Sequence, residues 1–353
     1  MAVHRVLVIG GGPAGLEAAR GVADMGLAVL LVEKTGELGG TPYAHYATLT
    51  PHLKDARDLM QDMLEGVAHH PQIEVRYHTE VVASRGEAGA FTVTLQNQEG
   101  QSQEEEVGAV IVATGFQHFD PGRETQLYGY YEFEDVITLV DAEHMMKSGR
   151  IVRPSNGQPP ERVAFIQCVG SRDRQIGNRW CSKVCCGIAS KQAIEIKKML
   201  PEAKVFIFYI DMRMYGFWED QLYWKAQEEH KVNYIRGIVT EILKKGDKLL
   251  MKGEDTTMGR PVEVLMDLVI LSVGMEPSQG TLNMAKVFHL PRESHGFLAT
   301  QGEPLDTVTT PVAGVFVAGA AAGPKDIEDS VSMGGAAAVK AVSLLRRLEK
   351  SLA

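Results

Sequence analysis

The sequence predicts an α/β protein of two Rossmann-like domains, the second inserted in the first. Short apolar runs alternate with longer amphipathic stretches, which is the pattern of a parallel sheet with crossover helices. A glycine-rich turn at residues 10–15 joins the first apolar run to a helical pattern. A polar, proline-rich stretch at 153–160 precedes a fresh apolar run and is typical of a linker between domains.

The predicted strands are rich in Val, Ile and Leu and lack polar alternation, as expected when helices cover both faces of a sheet. They are residues 6–10, 28–33, 109–113, 163–167, 204–210, 267–272 and 314–318. The predicted helices have a period near 3.6 residues. They are residues 13–25, 51–69, 182–200, 218–230 and 329–348. The polar run at 96–106 is predicted to be a hairpin tip or a loop.

Composition excludes several classes of function. The 353 residues carry a formal net charge of -9, which disfavours a broad nucleic-acid surface because phosphate binding needs clustered Lys and Arg. No apolar run approaches the roughly 18 residues of a membrane helix. Three glycines and Pro13 interrupt the first apolar segment, unlike a signal peptide. We therefore expect a cytoplasmic protein with no membrane span.

The first strand, its turn and the following helix form a dinucleotide-binding fingerprint. Gly10 permits the tight turn, Gly12 allows the backbone to approach a pyrophosphate, and Gly15 lets the helix pack on the strand. The helix N-terminus offers free N–H groups to phosphates. Glu33 closes the second strand about twenty residues later, where a carboxylate accepts hydrogen bonds from ribose hydroxyls.

Three further motifs favour FAD as the dinucleotide. Residues 37–40 (ELGG), 109–115 (AVIVATG) and 315–319 (VFVAG) resemble, in this order, the flavin-binding segments of two-dinucleotide flavoproteins. The predicted FAD contacts are Gly10, Gly12, Pro13, Ala14, Gly15, Glu33, Lys34, Gly39, Gly40, Thr41, Val81, Ala113, Thr114, Gly115, Gly319, Ala320, Lys325, Asp326 and Ile327.

One position departs from the flavoprotein pattern. Ala320 stands where most of that superfamily has an Asp that holds the flavin's ribityl or phosphate groups. Asp326 is a candidate for the missing contact. It is equally a candidate N-cap for the long C-terminal helix, and the two roles are compatible.

The four cysteines, Cys168, Cys181, Cys185 and Cys186, all lie within nineteen residues. Their spacing, C-x12-C-x3-C-C, matches neither the ferredoxin run nor the paired thiolates of zinc sites nor a thioredoxin-like C-x-x-C. An iron–sulfur cluster, zinc, redox thiols and inert core cysteines all remain open from spacing alone. Gln167 stands where the first glycine of a second nucleotide turn is expected, so we predict that a nicotinamide site has been lost there.

The chain closely resembles the A subunits of heterodisulfide reductases along nearly its whole length. The resemblance is carried by residues 148–157 (SGRIVRPSNG), 164–173 (AFIQCVGSRD), 180–186 (WCSKVCC) and 317–327 (VAGAAAGPKDI). It implies a thioredoxin-reductase-like fold, FAD, a [4Fe–4S] cluster on the four cysteines, and assembly with other iron–sulfur subunits. By the same analogy we expect a homodimer.

The chain lacks the C-x-x-C-x-x-C runs of the methanogen members, so it is similar to the short form in heterodisulfide-reductase-like complexes of sulfur-metabolising bacteria. We predict a discontinuous FAD-binding domain of residues 1–155 and 275–353, and an inserted cysteine-bearing domain of residues 156–274. Two alternatives are kept. One is the flavoprotein subunit of a quinone-interacting oxidoreductase complex. The other is a standalone NAD(P)H-dependent disulfide reductase that uses Cys185 and Cys186.

Overall fold

Nineteen strands in the described residues build the framework of the protein. The computed structural model describes residues 3–124, 128–302 and 304–352; residues 1–2, 125–127, 303 and 353 of the predicted domains lie outside this range. The strands are β1 (Arg5–Ile9), β2 (Ala28–Val32), β3 (Thr48–Leu49), β4 (Lys54–Asp55), β5 (Ile73–Arg76), β6 (Thr79–Glu87), β7 (Ala90–Asn97), β8 (Ser102–Val107), β9 (Ala109–Val112), β10 (Phe116–His118), β11 (Val136–Thr138), β12 (Arg162–Val169), β13 (Lys204–Tyr209), β14 (Asn233–Lys245), β15 (Lys248–Asp255), β16 (Arg260–Met266), β17 (Leu268–Val273), β18 (Met275–Pro277) and β19 (Val315–Val317).

Helices connect and cover these strands. In the described residues they are α1 (Pro13–Asp24), α2 (Gly40–His45), α3 (Ala56–Ala68), α4 (Pro121–Glu124), α5 (Leu139–Lys147), α6 (Cys185–Met199), α7 (Lys225–Glu228), α8 (Gln279–Val287) and α9 (Ile327–Leu352). A π-helical turn, Glu219–Trp224, runs directly into α7, and a 3-10 turn spans Gly319–Ala322.

The first of two structural units comprises Met1–Ala44, Arg57–Gln117 and Glu276–Ala353. Its centre is a parallel five-stranded sheet of order β19-β9-β1-β2-β5. Leu7, Val110, Ile111 and Val112 on its central strands are fully buried, as expected of a sheet covered on both faces. An antiparallel meander, β6-β7-β8, belongs to the same unit.

The second unit comprises His45–Ala56 and His118–Met275. Its seven-stranded sheet has the order β11-β17-β12-β13-β14-β15-β16. The first five strands of this order pair in parallel, and β14, β15 and β16 continue it as an antiparallel meander. The predicted fold class, an α/β protein with one Rossmann-like unit inserted in another, is confirmed.

Several element boundaries differ from the predicted ones for local reasons. The helix predicted at 51–69 begins at Ala56, because the hairpin β3–β4 occupies the preceding residues. The helix predicted at 182–200 begins at Cys185, and the one at 218–230 opens with a π-helical turn. The polar run at 96–106 forms the turn and outer strand of the β7–β8 hairpin.

The contact-defined units begin at other residues than the predicted domains. The second unit starts at His118 and not at 156, because β11 pairs in parallel with β17 and so adds α5 and the predicted linker to this unit. Residues 45–56 belong to it as well. No hydrophobic pattern in the sequence marks His45 or His118, the residues at which the chain passes from the first unit into the second.

A buried ion pair holds residues 45–56 in the second unit. Lys191 of α6 and Glu143 of α5 are both almost fully buried, with Nζ 2.5 Å from Oε1. The Lys191 ammonium also donates to the Thr48 carbonyl at 2.8 Å, and Glu143 Oε2 accepts from the Ala47 N–H at 2.9 Å. Gln192 donates to the same carboxylate at 2.7 Å. Each buried charge is therefore both paired and hydrogen-bonded, which offsets its desolvation.

We expect Lys191→Met to destabilise the second unit by about 3–5 kcal/mol, because it leaves the Glu143 carboxylate buried without a counter-charge. The double variant Lys191→Met/Glu143→Gln should recover most of that loss. All three tryptophans, Trp180, Trp218 and Trp224, lie in this unit, so urea unfolding followed by tryptophan fluorescence measures it selectively. Equal losses in the single and double variants would contradict the expectation.

Candidate functional site

The glycine turn after β1 has the geometry that a dinucleotide site needs. Gly10 has φ +105°, and a Cβ there would lie 2.4 Å from the Ala113 carbonyl oxygen. A Cβ on Gly15 would lie 1.8 Å from the Gly10 carbonyl oxygen. Gly12 is the N-cap of α1 and Pro13 is its first residue, and no side chain of the described residues caps the free N–H groups. The N-terminus of α1 is thus open to an anion.

Glu33 follows β2, and its side chain hydrogen-bonds to the turn that follows β1. It is buried, and its Oε2 accepts from the Gly11 N–H at 2.8 Å while Oε1 accepts from Thr35 N and Oγ1 at 2.9 and 2.8 Å. The Glu33 backbone carbonyl accepts from the Thr79 N–H, two residues before Val81, a predicted contact that is buried on β6. The carboxylate therefore shapes the turn and keeps further lone pairs for a ligand.

The second glycine pair lies against the first turn. Gly39 donates its N–H to the Gly11 carbonyl at 2.7 Å. Gly40 has φ +58°, and a Cβ there would lie 2.8 Å from the Gly12 Cα. Thr41 follows in α2, and Lys34 is exposed beside Glu33. The structure thus brings the predicted residues of both motifs together.

The turn after β9 is held by the start of α8. The Thr114 hydroxyl lies 2.8 Å from the Thr281 hydroxyl, and Ser278 Oγ donates to the Thr114 carbonyl at 2.9 Å. Thr281 Oγ1 donates to the Gly115 carbonyl at 3.0 Å. Sequence reasoning missed Ser278 and Thr281, because they lie more than 160 residues from their partners.

The closing segment is built around a second helix start. Asp326 Oδ1 accepts from the Asp329 N–H at 2.7 Å, so Asp326 caps α9, which begins at Ile327. The N-cap role is confirmed. Ala320 is buried in the 3-10 turn. A Cβ on Gly319 would lie 2.8 Å from the Ala14 Cβ, so this turn packs on the start of α1.

The four cysteines lie where β12 ends and α6 begins. Cys168 is the penultimate residue of β12, Cys181 is in the connecting loop, and Cys185 and Cys186 are the first residues of α6. The Arg172 N–H donates to the Trp180 carbonyl at 2.9 Å, which folds the loop back and brings Cys181 beside the residues that follow Cys168. The free N–H groups of the first turn of α6 lie at this edge too.

This loop is held in conformations that ordinary residues avoid. Cys168, Arg172 and Lys183 have φ of +63°, +57° and +64°. Each non-glycine residue in this region costs on the order of 1–3 kcal/mol. Gly170 has φ +73°, and a Cβ there would lie 2.1 Å from the Phe119 ring. The surrounding structure imposes this strain, and such strain is concentrated at functional sites.

Three of the thiols interact directly. Hydrogen bonding with Cys185 lowers the pKa of Cys168 to about 7 against the opposing effect of burial, and the Arg172 guanidinium lowers it further. The same contacts, with Cys168 and Cys186, raise the pKa of Cys185 well above its ordinary value. Cys186 has a lowered pKa because of Cys185 and a backbone hydrogen bond with Arg213. The Cys181 thiol accepts from the Lys183 N–H at 3.3 Å.

The donor set fits a soft metal in number and type, since four thiolates are the ligands of a [4Fe–4S] cluster. The Cys185 thiol hydrogen-bonds with the thiols of both Cys168 and Cys186. Within residues 3–124, 128–302 and 304–352, no group of three or more His, Cys, Asp or Glu is arranged to hold a metal ion. The loop therefore gathers the thiols without fixing a metal geometry.

Gln167 is buried directly before Cys168. In the described part of the chain neither its amide oxygen nor its amide nitrogen has a hydrogen-bond partner. Ser171 Oγ is likewise buried without a partner there. The positive φ that Gly10 adopts after β1 is adopted by Cys168 at the end of β12. The end of β12 therefore shares the positive φ of a nucleotide-binding turn. It differs from that turn in carrying side chains at positions where the turn has glycine.

Three histidines that the sequence leaves far apart meet in the second unit. His45 Nδ1 lies 3.1 Å from His144 Nε2, and the rings of His45 and His118 stack edge-on. His118 Nε2 lies 3.5 Å from the hydroxyl of buried Tyr46. Burial lowers the pKa of His118 to about 4, with a further contribution from His45. The spacing of the eleven histidines along the chain carries no signal of this group.

Comparison with known proteins identifies the relatives of the chain. Residues 4–153 match the pyridine nucleotide-disulphide oxidoreductase family. The iron-sulfur A subunit 2 of the CoB–CoM heterodisulfide reductase of Methanopyrus kandleri is 33% identical over 97% of this chain and 64% of its own length. The A subunit of the H2:CoB-CoM heterodisulfide, ferredoxin reductase of Methanothermobacter thermautotrophicus is 31% identical over 96% of this chain and 63% of its own length. The chain thus spans somewhat less than two thirds of these relatives, and its predicted resemblance to such A subunits is confirmed.

Among solved structures, the thioredoxin reductase of T. acidophilum superposes with a TM-score of 0.66 at 19% identity, covering 96% of this chain and 98% of that one. The thioredoxin-reductase-like fold is therefore confirmed, and with the family match it indicates FAD binding and an oxidoreductase. In the part of the chain that the structure covers, no helix is long and apolar enough to cross a membrane.

We expect Gly15→Ala to lower the amount of flavin bound per chain by more than half and to lower Tm. The added methyl group cannot fit 1.8 Å from the Gly10 carbonyl oxygen, so α1 must move away from β1. Gly335→Ala is the matched control, because Gly335 also lies in a helix and a Cβ there meets nothing closer than the Glu17 carboxylate at 3.7 Å. Flavin released by denaturation is measured by fluorescence. Equal flavin content in both variants would refute this role of the turn.

Stability of the second unit should fall as the pH drops from about 6.5 to about 4. His118 is neutral in the folded protein down to a pH of about 4 and protonates near 6.5 when unfolded, so only the unfolded state gains a proton in this window. The loss amounts to a few kcal/mol at most. His118→Phe should flatten the profile, whereas His52→Phe, at an exposed position, should not. Urea midpoints from tryptophan fluorescence across this pH range test the expectation, and an unchanged slope in His118→Phe counts against it.

Proposed function

Because the chain is a homologue of the A subunits of heterodisulfide reductases, we propose that it is the electron-transfer flavoprotein of a heterodisulfide-reductase-like complex. In this proposal it binds FAD and a [4Fe–4S] cluster, the latter on Cys168, Cys181, Cys185 and Cys186. The observation that supports it is that Cys185 hydrogen-bonds with both Cys168, at the end of β12, and Cys186, at the start of α6, while Cys181 lies in the loop that joins these two elements.

The FAD pyrophosphate is proposed to bind at the N-terminus of α1, formed by Gly12, Pro13 and Ala14, because no side chain at the Gly12 N-cap occupies the free backbone N–H groups of the first turn. Glu33 would accept hydrogen bonds from the ribose hydroxyls, since its carboxylate lies at the end of β2. Lys34, Thr41 and Val81 would line the same part of the site.

The remaining contacts are proposed at the closing edge. Gly39, Gly40, Ala113, Thr114 and Gly115 would face the flavin with their backbone atoms. The N-terminus of α9, with Lys325 and Ile327, directs a partial positive charge outward. That charge favours added electron density on a bound ring. Ala320 offers no carboxylate, so backbone groups from Gly319 to Asp326 would take over the contact.

When bound, FAD exchanges electrons in pairs and an iron–sulfur cluster exchanges them singly. The protein's part is to hold both groups and to set their surroundings. Arg172 would offset the negative charge of the thiolates, since it already interacts with Cys168. The buried Gln167 amide and Ser171 hydroxyl, which lack partners among the described residues, are donors available to sulfur. The residues of α6 that follow the cysteines are buried and exclude water.

We further propose that the complex belongs to sulfur metabolism and that the partners are other iron–sulfur subunits, with a homodimer of this chain within it. The relatives' names supply the class of reaction. The alignment to the Methanopyrus kandleri relative runs over 423 positions, against 353 residues in this chain, so that relative carries inserted residues that this chain lacks. This difference supports a short form of the A subunit.

A second candidate is a standalone NAD(P)H-dependent disulfide reductase. The hydrogen bond between the thiols of Cys185 and Cys186 favours it, since a dithiol must have both sulfurs within reach of each other. Gln167 opposes it, because its side chain stands where a nicotinamide turn would need a glycine.

Anaerobically purified protein should contain about four iron and four sulfide per FAD. Cys181→Ser should lose most of the iron, because Cys181 supplies one of the four thiolates, while Ser182→Ala, at the next residue, should keep it. Iron, acid-labile sulfide and flavin assays give the ratios. Flavin without iron, together with fast bleaching by NADH or NADPH, would instead establish the second candidate. Zinc without iron or flavin would eliminate both.

A further inference from the structure

Three buried polar side chains near Cys168 lack hydrogen-bond partners in the part of the chain that the structure describes. They are Gln167, with both atoms of its amide, and Ser171 and Ser272, each with its hydroxyl. Their exposed fractions are 6%, 2% and 0%, so water at the surface does not satisfy them. Buried polar groups are nearly always hydrogen-bonded, and a set of exceptions indicates a group that completes them. We call these three side chains the open donor set.

A β-bulge places two members of the set beside the first cysteine. The pairing of β12 with β17 shifts its register between Ile166 and Val169, so that Gln167 and Cys168 together lie opposite the single residue Ser272. Cys168 takes its positive φ within this bulge. Bulges redirect side chains and are frequent next to functional sites. This one brings polar groups of two neighbouring strands to the same end of the sheet as the cysteine.

Ser171 joins the set from the turn after β12. Its N–H donates to the Cys168 carbonyl at 3.2 Å, which folds the turn back over the strand end. A Cβ on Gly274, the residue after β17, would lie 3.0 Å from the Ser171 Cβ. Ser171 therefore lies at the ends of both strands that carry the other two members.

Other polar side chains of the same region do have partners. The Asn178 amide donates to the Gly170 carbonyl at 3.0 Å, and Ser182 Oγ accepts from the Met275 N–H at 2.9 Å. These bonds satisfy backbone groups of the turn and of the segment after β17. The lack of partners is thus a property of the side chains around Cys168 and not of the whole loop.

Charge near Cys168 is already compensated within the second unit. Arg172 interacts with Cys168, but its guanidinium also forms a bidentate ion pair with Asp211. Net charge, hydrogen bonds to sulfur and solvent exposure together set the potential of an iron–sulfur cluster. Since the Arg172–Asp211 pair is neutral as a whole, hydrogen bonds from neutral donors are an effective way to stabilise an added negative charge here.

We propose that the Gln167 amide N–H, with the Ser272 and Ser171 hydroxyls, donates hydrogen bonds to sulfur of the centre held by the four cysteines and raises its reduction potential. The inference rests on the proposed function and gives Gln167 a role within it. A reduced iron–sulfur centre carries one more negative charge than the oxidised one. A donor at sulfur therefore stabilises the reduced state more than the oxidised state.

This role also gives a physical reason for the residue found at position 167. In the first unit the corresponding position after β1 is Gly10, which has no side chain and so leaves the turn open to a pyrophosphate. At the end of β12 the Gln167 side chain obstructs a nucleotide and at the same time supplies a donor. One substitution thus exchanges a nucleotide turn for a hydrogen-bonding wall beside the thiols.

The experiment compares Gln167→Met with Gln192→Met in the full chain, purified anaerobically. Gln192 is the matched control because it is also a buried glutamine of the second unit, but its amide donates to the Leu139 carbonyl and to Glu143. Iron and sulfide per flavin are assayed first. The potential is then measured by titration with dithionite, followed by electron paramagnetic resonance of the reduced centre.

Gln167→Met should lower the equilibrium constant for one-electron reduction about tenfold, which corresponds to a fall of about 59 mV in potential. Ser272→Ala should lower the potential in the same direction. Gln192→Met should change the equilibrium constant by less than about twofold, because its partners lie on α5 and its amide is already bonded.

Thermal unfolding after removal of iron with a chelator provides a second readout. In the iron-free chain the Gln167 amide is buried without a partner, so Gln167→Met should raise Tm by about 2–4 °C. Gln192→Met should lower Tm, since it breaks two hydrogen bonds. In the iron-containing chain the gain from Gln167→Met should disappear, because the amide is then bonded to sulfur.

The outcomes separate this inference from the proposed function. An iron-containing Gln167→Met chain with an unchanged potential overturns the inference and leaves the cluster in place. A lower Tm for Gln167→Met in the iron-free chain also overturns it, since the amide then has another partner, such as an ordered water. If Gln167→Met loses its iron, the smaller change Ser272→Ala decides by the presence or absence of a lowered potential. An unmodified chain without iron overturns both the cluster and the inference.

Discussion

The close approach of a strand end to the helix that follows it is the constraint on which both units depend. In the first unit Gly10 and Gly15 meet this constraint by having no side chain, and the open N-terminus of α1 results. In the second unit Cys168, the penultimate residue of β12, takes a left-handed conformation, and Gly170 directly after the strand takes another. The same topology therefore produces an anion site in one unit and a thiol site in the other.

The structure around the cysteine loop compensates for the backbone strain within that loop. Three non-glycine residues of the cysteine loop have positive φ, each at a cost on the order of 1–3 kcal/mol. Backbone pairing across the loop and the Trp180 Nε1 donation to the Met275 carbonyl at 3.0 Å hold it in place. Further along α6, Lys191 pairs with Glu143, so that the two buried charges neutralise each other.

Two kinds of residue escaped prediction, and for the same reason. Ser278 and Thr281, which hold the Ala-Thr-Gly turn, and His45, His118 and His144, which meet in the second unit, come from distant parts of the chain. Periodicity and local spacing report contacts within a few residues, so they carry no information on such groupings. The contact-defined start of the second unit, His118, differs from the predicted residue 156 for a similar reason, because β11 pairs with β17, a strand far along the chain.

The sequence by itself determined the alternating α/β framework, the glycine turn with Glu33, the Asp326 cap and the identity of the four cysteines. These are local properties, set by apolar periodicity and by the few residues that a turn or a cap tolerates. Only the tertiary structure decided which thiols touch, how Arg213 and Arg172 reach them, and which buried polar side chains beside them lack partners among the described residues. Those depend on loop conformations that the surrounding packing imposes against local preference.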